Sequence, residues 1–214
     1  MPDRSTRPLA RPFFAACVAG VLAVQLALSA SSVQAQPAIT VDAKEFDVVA
    51  TRKGAQAGDA RLMGELGAAL VLGVGVTQDV AEGVGWLQKA AAKGDAQGSL
   101  MLAMLKLEGH LVPKDEKGAA GLVRGVAARG NAQGMLLYGQ LHIKGLGVAR
   151  DDKEALKWVL RAAYTGHADA QYMAGLLVAT GQGTQADAAQ GKSWLGKAAA
   201  QGHAEAKLAL QKLP

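Results

Sequence analysis

His167 and His203 stand 36 residues apart in the same local phrase, Gly–His–Ala. Two imidazoles are a common start to a transition-metal site, but both ring nitrogens must then reach one ion. If each phrase opens one helix of a stack, successive helices lie about 8–10 Å apart. That separation is too wide for both rings to bind one metal, so the pair is expected at surface turns. His110 falls in a turn and His142 at a packing position. Two acidic pairs, Asp115-Glu116 and Asp151-Asp152, could do general acid–base work. Each pair opens a helical pattern, where capping and the helix dipole explain it without chemistry. Beyond residue 35 the serines are Ser99 and Ser193, and neither has a lysine three residues on. No Gly-x-Ser-x-Gly, His-Glu-x-x-His or strand-preceded glycine fingerprint occurs. No catalytic residue, no metal ligand set and no cofactor are expected.

These residues sit in a strict period. Gly58-Asp59-Ala60 recurs as Gly94-Asp95-Ala96, Gly130-Asn131-Ala132, Gly166-His167-Ala168 and Gly202-His203-Ala204, always 36 residues on. The same step joins Gly73, Gly109, Gly145 and Gly181; Asp79, Asp115, Asp151 and Asp187; and Trp86, Leu122, Trp158 and Trp194. Coincident columns at such a period mark an all-α solenoid of antiparallel helix pairs. The units are 58–93, 94–129, 130–165 and 166–201, with a cap helix in 36–57 and a half repeat in 202–214.

Within a unit, Asp59 caps a first helix and Gly73-Val74-Gly75 ends it, since glycine takes the left-handed conformation a helix end needs. Asp79 caps a second helix, and Glu82 three residues on has capping-box spacing. The helices should run about 12 and 14 residues. Gly67, Ala103, Gly139 and Gly175 form a packing column where a neighbouring helix comes close. In the second copy Leu111 replaces the second glycine of the turn, so that turn must differ or be strained.

Half of the residues are hydrophobic and only 4% aromatic, with 27 glycines, too apolar a mix for a disordered chain. The net charge is +5, of which residues 1–35 carry Arg4, Arg7 and Arg11 against Asp3, leaving +3 elsewhere. No basic run with interleaved aromatics appears, which argues against a nucleic-acid partner. Cys17 is the sole cysteine, so the repeats hold neither a disulfide nor a cysteine zinc site.

The first 35 residues read as an address: a basic start, an apolar run over 13–30, and Val33 and Ala35 before a cut at Gln36. Cleavage predicts a periplasmic or secreted protein without stable membrane insertion. Without it, the 18-residue run is long enough for a membrane anchor. Only four apolar residues precede Cys17, which stands against a lipoprotein box.

The third copy carries a family pattern most fully: Gly145-Leu146-Gly147-Val148-Ala149-Arg150-Asp151, then Ala155, Trp158 and Arg161-Ala162-Ala163. The chain resembles Sel1-like repeats, relatives of tetratricopeptide repeats, over residues 58–214. The resemblance implies a right-handed superhelix, adaptor roles in protein complexes and, in exported bacterial members, work at the envelope or in host contact. Departures are Leu122 and Gly125 in copy two, and a tyrosine column that reads Leu70, Lys106, His142 and Val178.

First helices of such arrays line the concave side. Met101, Met104 and Leu105 align with Leu137, Gln140 and Leu141, and with Met173, Leu176 and Leu177. Two readings of this apolar stripe stay open: neighbouring helices bury it, or part of it grips a protein or peptide partner. The function expected is that of an exported, non-enzymatic adaptor. The alternative is a cell-envelope enzyme or peptidoglycan-binding protein.

Overall fold

The computed structural model describes residues 47–212. The export signal, its cleavage site, Cys17 and residues 36–46 lie outside them. The described residues form ten α-helices: α1 (Val48–Gln56), α2 (Ala60–Leu72), α3 (Val80–Ala92), α4 (Ala96–Glu108), α5 (Glu116–Ala128), α6 (Ala132–Lys144), α7 (Asp152–Tyr164), α8 (Ala168–Thr180), α9 (Ala188–Ala200) and α10 (Ala204–Lys212). No strand is present among them. First and second helices alike run 13 residues from α2 to α9, against the expected 12 and 14. The chain forms two compact units that divide between Met101 and Leu102, inside α4.

In the first unit α1 to α3 pack in sequence around Ala55, Met63, Leu66, Leu70 and Ala90. The packing glycine works as its column suggests. A β-carbon at Gly67 would stand 2.8 Å from the Gly83 carbonyl oxygen and from Leu87 Cγ, and one at Gly83 would stand 2.8 Å from the Gly67 oxygen. Two backbones in such contact exclude any larger residue. In the second unit the same contact joins Gly139 to Val159 at 2.7 Å and Gly175 to Leu195 at 2.6 Å. Val123, Val126 and Val159, each fully buried, and Leu141, 2% exposed, fill the interior there.

Each first helix ends on a left-handed glycine, with φ of 69°, 73°, 68° and 77° at Gly73, Gly109, Gly145 and Gly181. The chain then returns to a fixed point. The backbone N–H groups of Asp79, Asp115, Asp151 and Asp187 donate to the carbonyls of Leu70, Lys106, His142 and Val178 at 2.9, 2.9, 3.1 and 2.9 Å. The four aspartate side chains meanwhile accept from the first turn of the helix they open. One residue thus closes the turn and starts the helix.

The second turn keeps this frame, so Leu111 alters neither the left-handed glycine nor the return bond. Leu111 is 46% exposed. At the equivalent place in copy three, a β-carbon on Gly147 would stand 1.9 Å from the Glu116 carbonyl oxygen, so that glycine seats the turn on α5.

The capping-box expectation needs correction at Glu82, and Glu154, two copies on, behaves alike. Their side chains do not turn back to the cap. Each accepts from a tryptophan one turn later: Trp86 Nε1 donates to Glu82 at 3.0 Å and Trp158 Nε1 to Glu154 at 2.8 Å. Lys89, Arg161 and Lys197 lie over the rings of Trp86, Trp158 and Trp194 at 4.2, 4.4 and 4.1 Å. Each tryptophan face therefore carries a cation.

Candidate protein-binding groove

Most of the apolar stripe lies inside the protein. Met101, Met104, Leu105, Leu137 and Leu141 are 1, 5, 4, 7 and 2% exposed, and Leu177 6%. Gln140, Met173 and Leu176 are half-buried. A repeat helix is covered by its own second helix and by its neighbours, so several of its faces are interior. The six deeply buried members offer no surface to a partner. Leu176 does.

Leu176 lines a groove of about 390 Å³ with Tyr172 on α8 and with Glu205, Leu208, Ala209 and Lys212 on α10. The groove follows the repeat. Tyr172 and Leu208 are 36 residues apart, as are Leu176 and Lys212. The column of Tyr172 and Leu208 includes Leu100 and Leu136, which are 0% and 7% exposed, whereas Leu208 is 57% exposed. The sequence gives these four positions the same apolar character, and only the packing separates covered members from open ones.

His203 fixes one edge. It is the N-cap of α10, and the Ala206 N–H donates to its Nδ1 at 3.2 Å. His167 caps α8 in the same way, accepting from Ala170 N–H at 3.4 Å. The histidine column therefore continues the capping of Asp59, Asp95 and Asn131 by another chemistry. The other ring nitrogen of His203, Nε2, lies 3.3 Å from Asp169 Oδ1. Glu205 Oε2 is 3.2 Å from Nδ1, and the ring stacks on Tyr172 at 4.6 Å. His203 is not a surface turn residue as expected: its side chain is 10% exposed. Burial, and then the charge of Glu205, hold the Tyr172 hydroxyl above its ordinary pKa, so it stays a neutral phenol.

The other chemistry candidates are placed as follows. Ser99 is 3% exposed and donates its hydroxyl to the Asp95 carbonyl. Asp115 and Asp151 are caps. His142 meets Tyr138 edge-on at 4.8 Å. Among the described residues no three of His, Cys, Asp and Glu converge to hold a metal ion, and no helix is long and apolar enough to cross a membrane.

An all-α array of antiparallel helix pairs at a 36-residue step belongs to the class of helical-repeat solenoids. The Sel1 repeat model matches residues 61–95, 96–122, 132–167 and 168–203, and the chain belongs to this family. Sel1 repeat proteins are generally protein-interaction scaffolds and typically non-enzymatic. A Sel1 repeat protein from Oxalobacter formigenes is 28% identical, with a TM-score of 0.70 over 74% of this chain and 65% of its own. The protective antigen c5321 of uropathogenic Escherichia coli, with an SLR fold, is 27% identical, with a TM-score of 0.71 over 75% of this chain and 34% of its own. This chain thus spans less than two thirds of either. The immunity protein Pa5087 from Pseudomonas aeruginosa shares the fold at 19% identity, with a TM-score of 0.54 over 91% of this chain and 68% of its own. No curated protein matches the chain in sequence.

Proposed function

We propose that this chain is an exported, non-enzymatic adaptor that binds a protein or peptide partner through first-helix residues left open in its second unit. The observation that carries the reading is the groove between α8 and α10, where Leu208 stands 57% exposed beside Tyr172 and Leu176. An open leucine beside two partly buried apolar side chains favours a partner. Gln140 on α6 and Met173 on α8 are the other half-buried members of the stripe, and the repeats of the reading are 58–93, 94–129, 130–165 and 166–201. The basic start, apolar run and Val33-Gln34-Ala35 support export, as does likeness to a protective antigen.

Two measurements test this. The N-terminal sequence of the protein recovered from the envelope or medium should begin at Gln36; a full-length membrane-bound chain overturns the soluble exported form. A photo-crosslinking residue at Leu208 should capture one protein from envelope extract, lost on Leu176→Glu with the helical circular dichroism intact. Capture that survives Leu176→Glu, or arises equally from a site such as Lys153, removes the groove from the reading.

A further inference from the structure

We infer that the groove between α8 and α10 receives a peptide segment in which a large apolar side chain adjoins a lysine or arginine; this rests on the adaptor reading above. Its walls set the apolar part. Tyr172, Leu176, Leu208 and Ala209 enclose about 390 Å³, room for one or two side chains rather than for a whole helix. The charge sets the rest. Asp169 and Glu205 flank His203 at one end, with side chains 67% and 61% exposed. Asp169 Oδ1 lies 3.3 Å from His203 Nε2 and Glu205 Oε2 lies 3.2 Å from Nδ1, so the two carboxylates share one edge while open to solvent. Lys212 lies at the other end, seven residues and about 10 Å along α10.

Beyond residue 35 the chain carries a net +3, so this acidic edge runs against the average surface. A cation of the partner gains at the Asp169–Glu205 end and is repelled at Lys212, which orients the segment. Glu205 also suits the positive end of the α10 dipole. That role needs no exposed leucine one turn away, and Leu208 is what the helix dipole leaves unexplained.

The test uses the mature chain and three synthetic peptides with a common glycine-serine frame and the cores Lys-Leu-Leu-Gln, Glu-Leu-Leu-Gln and Lys-Ser-Ser-Gln. Amide chemical shifts report where and how tightly each binds. The lysine-leucine peptide should shift the amides around Tyr172, Glu205 and Leu208 and bind roughly fivefold tighter than its glutamate counterpart, an advantage that salt erodes. Glu205→Gln should shrink this preference and keep apolar binding. Leu208→Asp should abolish binding with its circular dichroism unchanged. Equal affinity of the lysine and glutamate peptides, or shifts elsewhere on the chain, overturns the inference. If a protein still crosslinks specifically at Leu208 in that case, the adaptor reading stands and the assigned chemistry alone falls.

Discussion

Gly183 lies so close over Asp152 that a β-carbon on it would stand 2.1 Å from the Asp152 carbonyl oxygen. Its φ is 82°, and the neighbouring Gln182 amide donates to the Asp152 carboxylate at 3.1 Å. Gly183 thus presses the turn after α8 onto the first turn of α7. Alanine there meets backbone that cannot yield, and Gly183→Ala should cost about 2–3 kcal/mol in urea unfolding. Gly202 is the control: its φ is 92°, but a β-carbon on it would meet nothing within 4 Å. Gly202→Ala should cost only the left-handed strain, about 1 kcal/mol. Equal losses would show that contact with α7 contributes nothing.

Glu65 occupies a column that elsewhere holds Met101, Leu137 and Met173. It is 6% exposed and pairs with the guanidinium of Arg61, whose side chain is 58% exposed. Burial, opposed by the Arg61 charge, raises its pKa above the ordinary 4.5. The folded protein therefore binds this proton more tightly than the unfolded chain, and stability falls as pH rises from 4.5 through the raised value. Glu65→Met should stabilise the protein by about 1 kcal/mol at neutral pH. The advantage of Glu65→Gln over the native chain should be larger at neutral pH than in acid. A destabilised Glu65→Met variant would show that the pair with Arg61 outweighs its desolvation.

Arg52 ties α1 to α3 through a two-point contact with Glu82, which also accepts from Trp86. The Arg52 hydrogen bond, and then that of Trp86, hold the Glu82 pKa below its ordinary 4.5. This contribution is present above 4.5 and is lost as pH falls through the depressed value. Both side chains are about one-third exposed, at 36% and 35%, and solvent screens the pair. Glu82→Gln should cost about 0.5–1 kcal/mol and speed amide exchange in α1. Unchanged α1 exchange would assign its docking to Thr51 and Ala55, its buried residues.

A histidine N-cap predicts a separation between two substitutions. His203→Ala removes the acceptor for Ala206 N–H and should cost about 1 kcal/mol locally, a roughly fivefold faster exchange of that amide. His203→Asn restores an acceptor without the ring stacked on Tyr172, so the amide should recover while the Tyr172 environment changes. Equal exchange in both variants would mean that stacking, not capping, holds α10.

The helices, their caps and the packing glycines were legible because each follows from a residue type at a fixed step. Gly67, Asp79 and Asn131 act as their columns suggest. The groove was not legible because exposure is a property of packing. Met101 and Leu137 share the type of Leu208, yet neighbouring helices cover the first two. The capping-box spacing of Glu82 misled for a related reason: Trp86 and Arg52 supplied better donors than the helix end. His203 reads in sequence as a turn residue, because nothing in a Gly–His–Ala phrase reveals the Tyr172 ring one repeat earlier.

The return bond from each aspartate N–H reaches a backbone carbonyl, whatever side chain stands there: leucine at 70, lysine at 106, histidine at 142 and valine at 178. Geometry and identity are thereby uncoupled at that column. Lys106 uses its freedom to reach Asp115 at 2.6 Å, and His142 uses it to meet Tyr138. A fold held by such main-chain latches can be rewritten side chain by side chain without losing its register. The four copies are in effect a natural substitution series at one site, and they mark where a designer could graft new contacts at little risk to the scaffold.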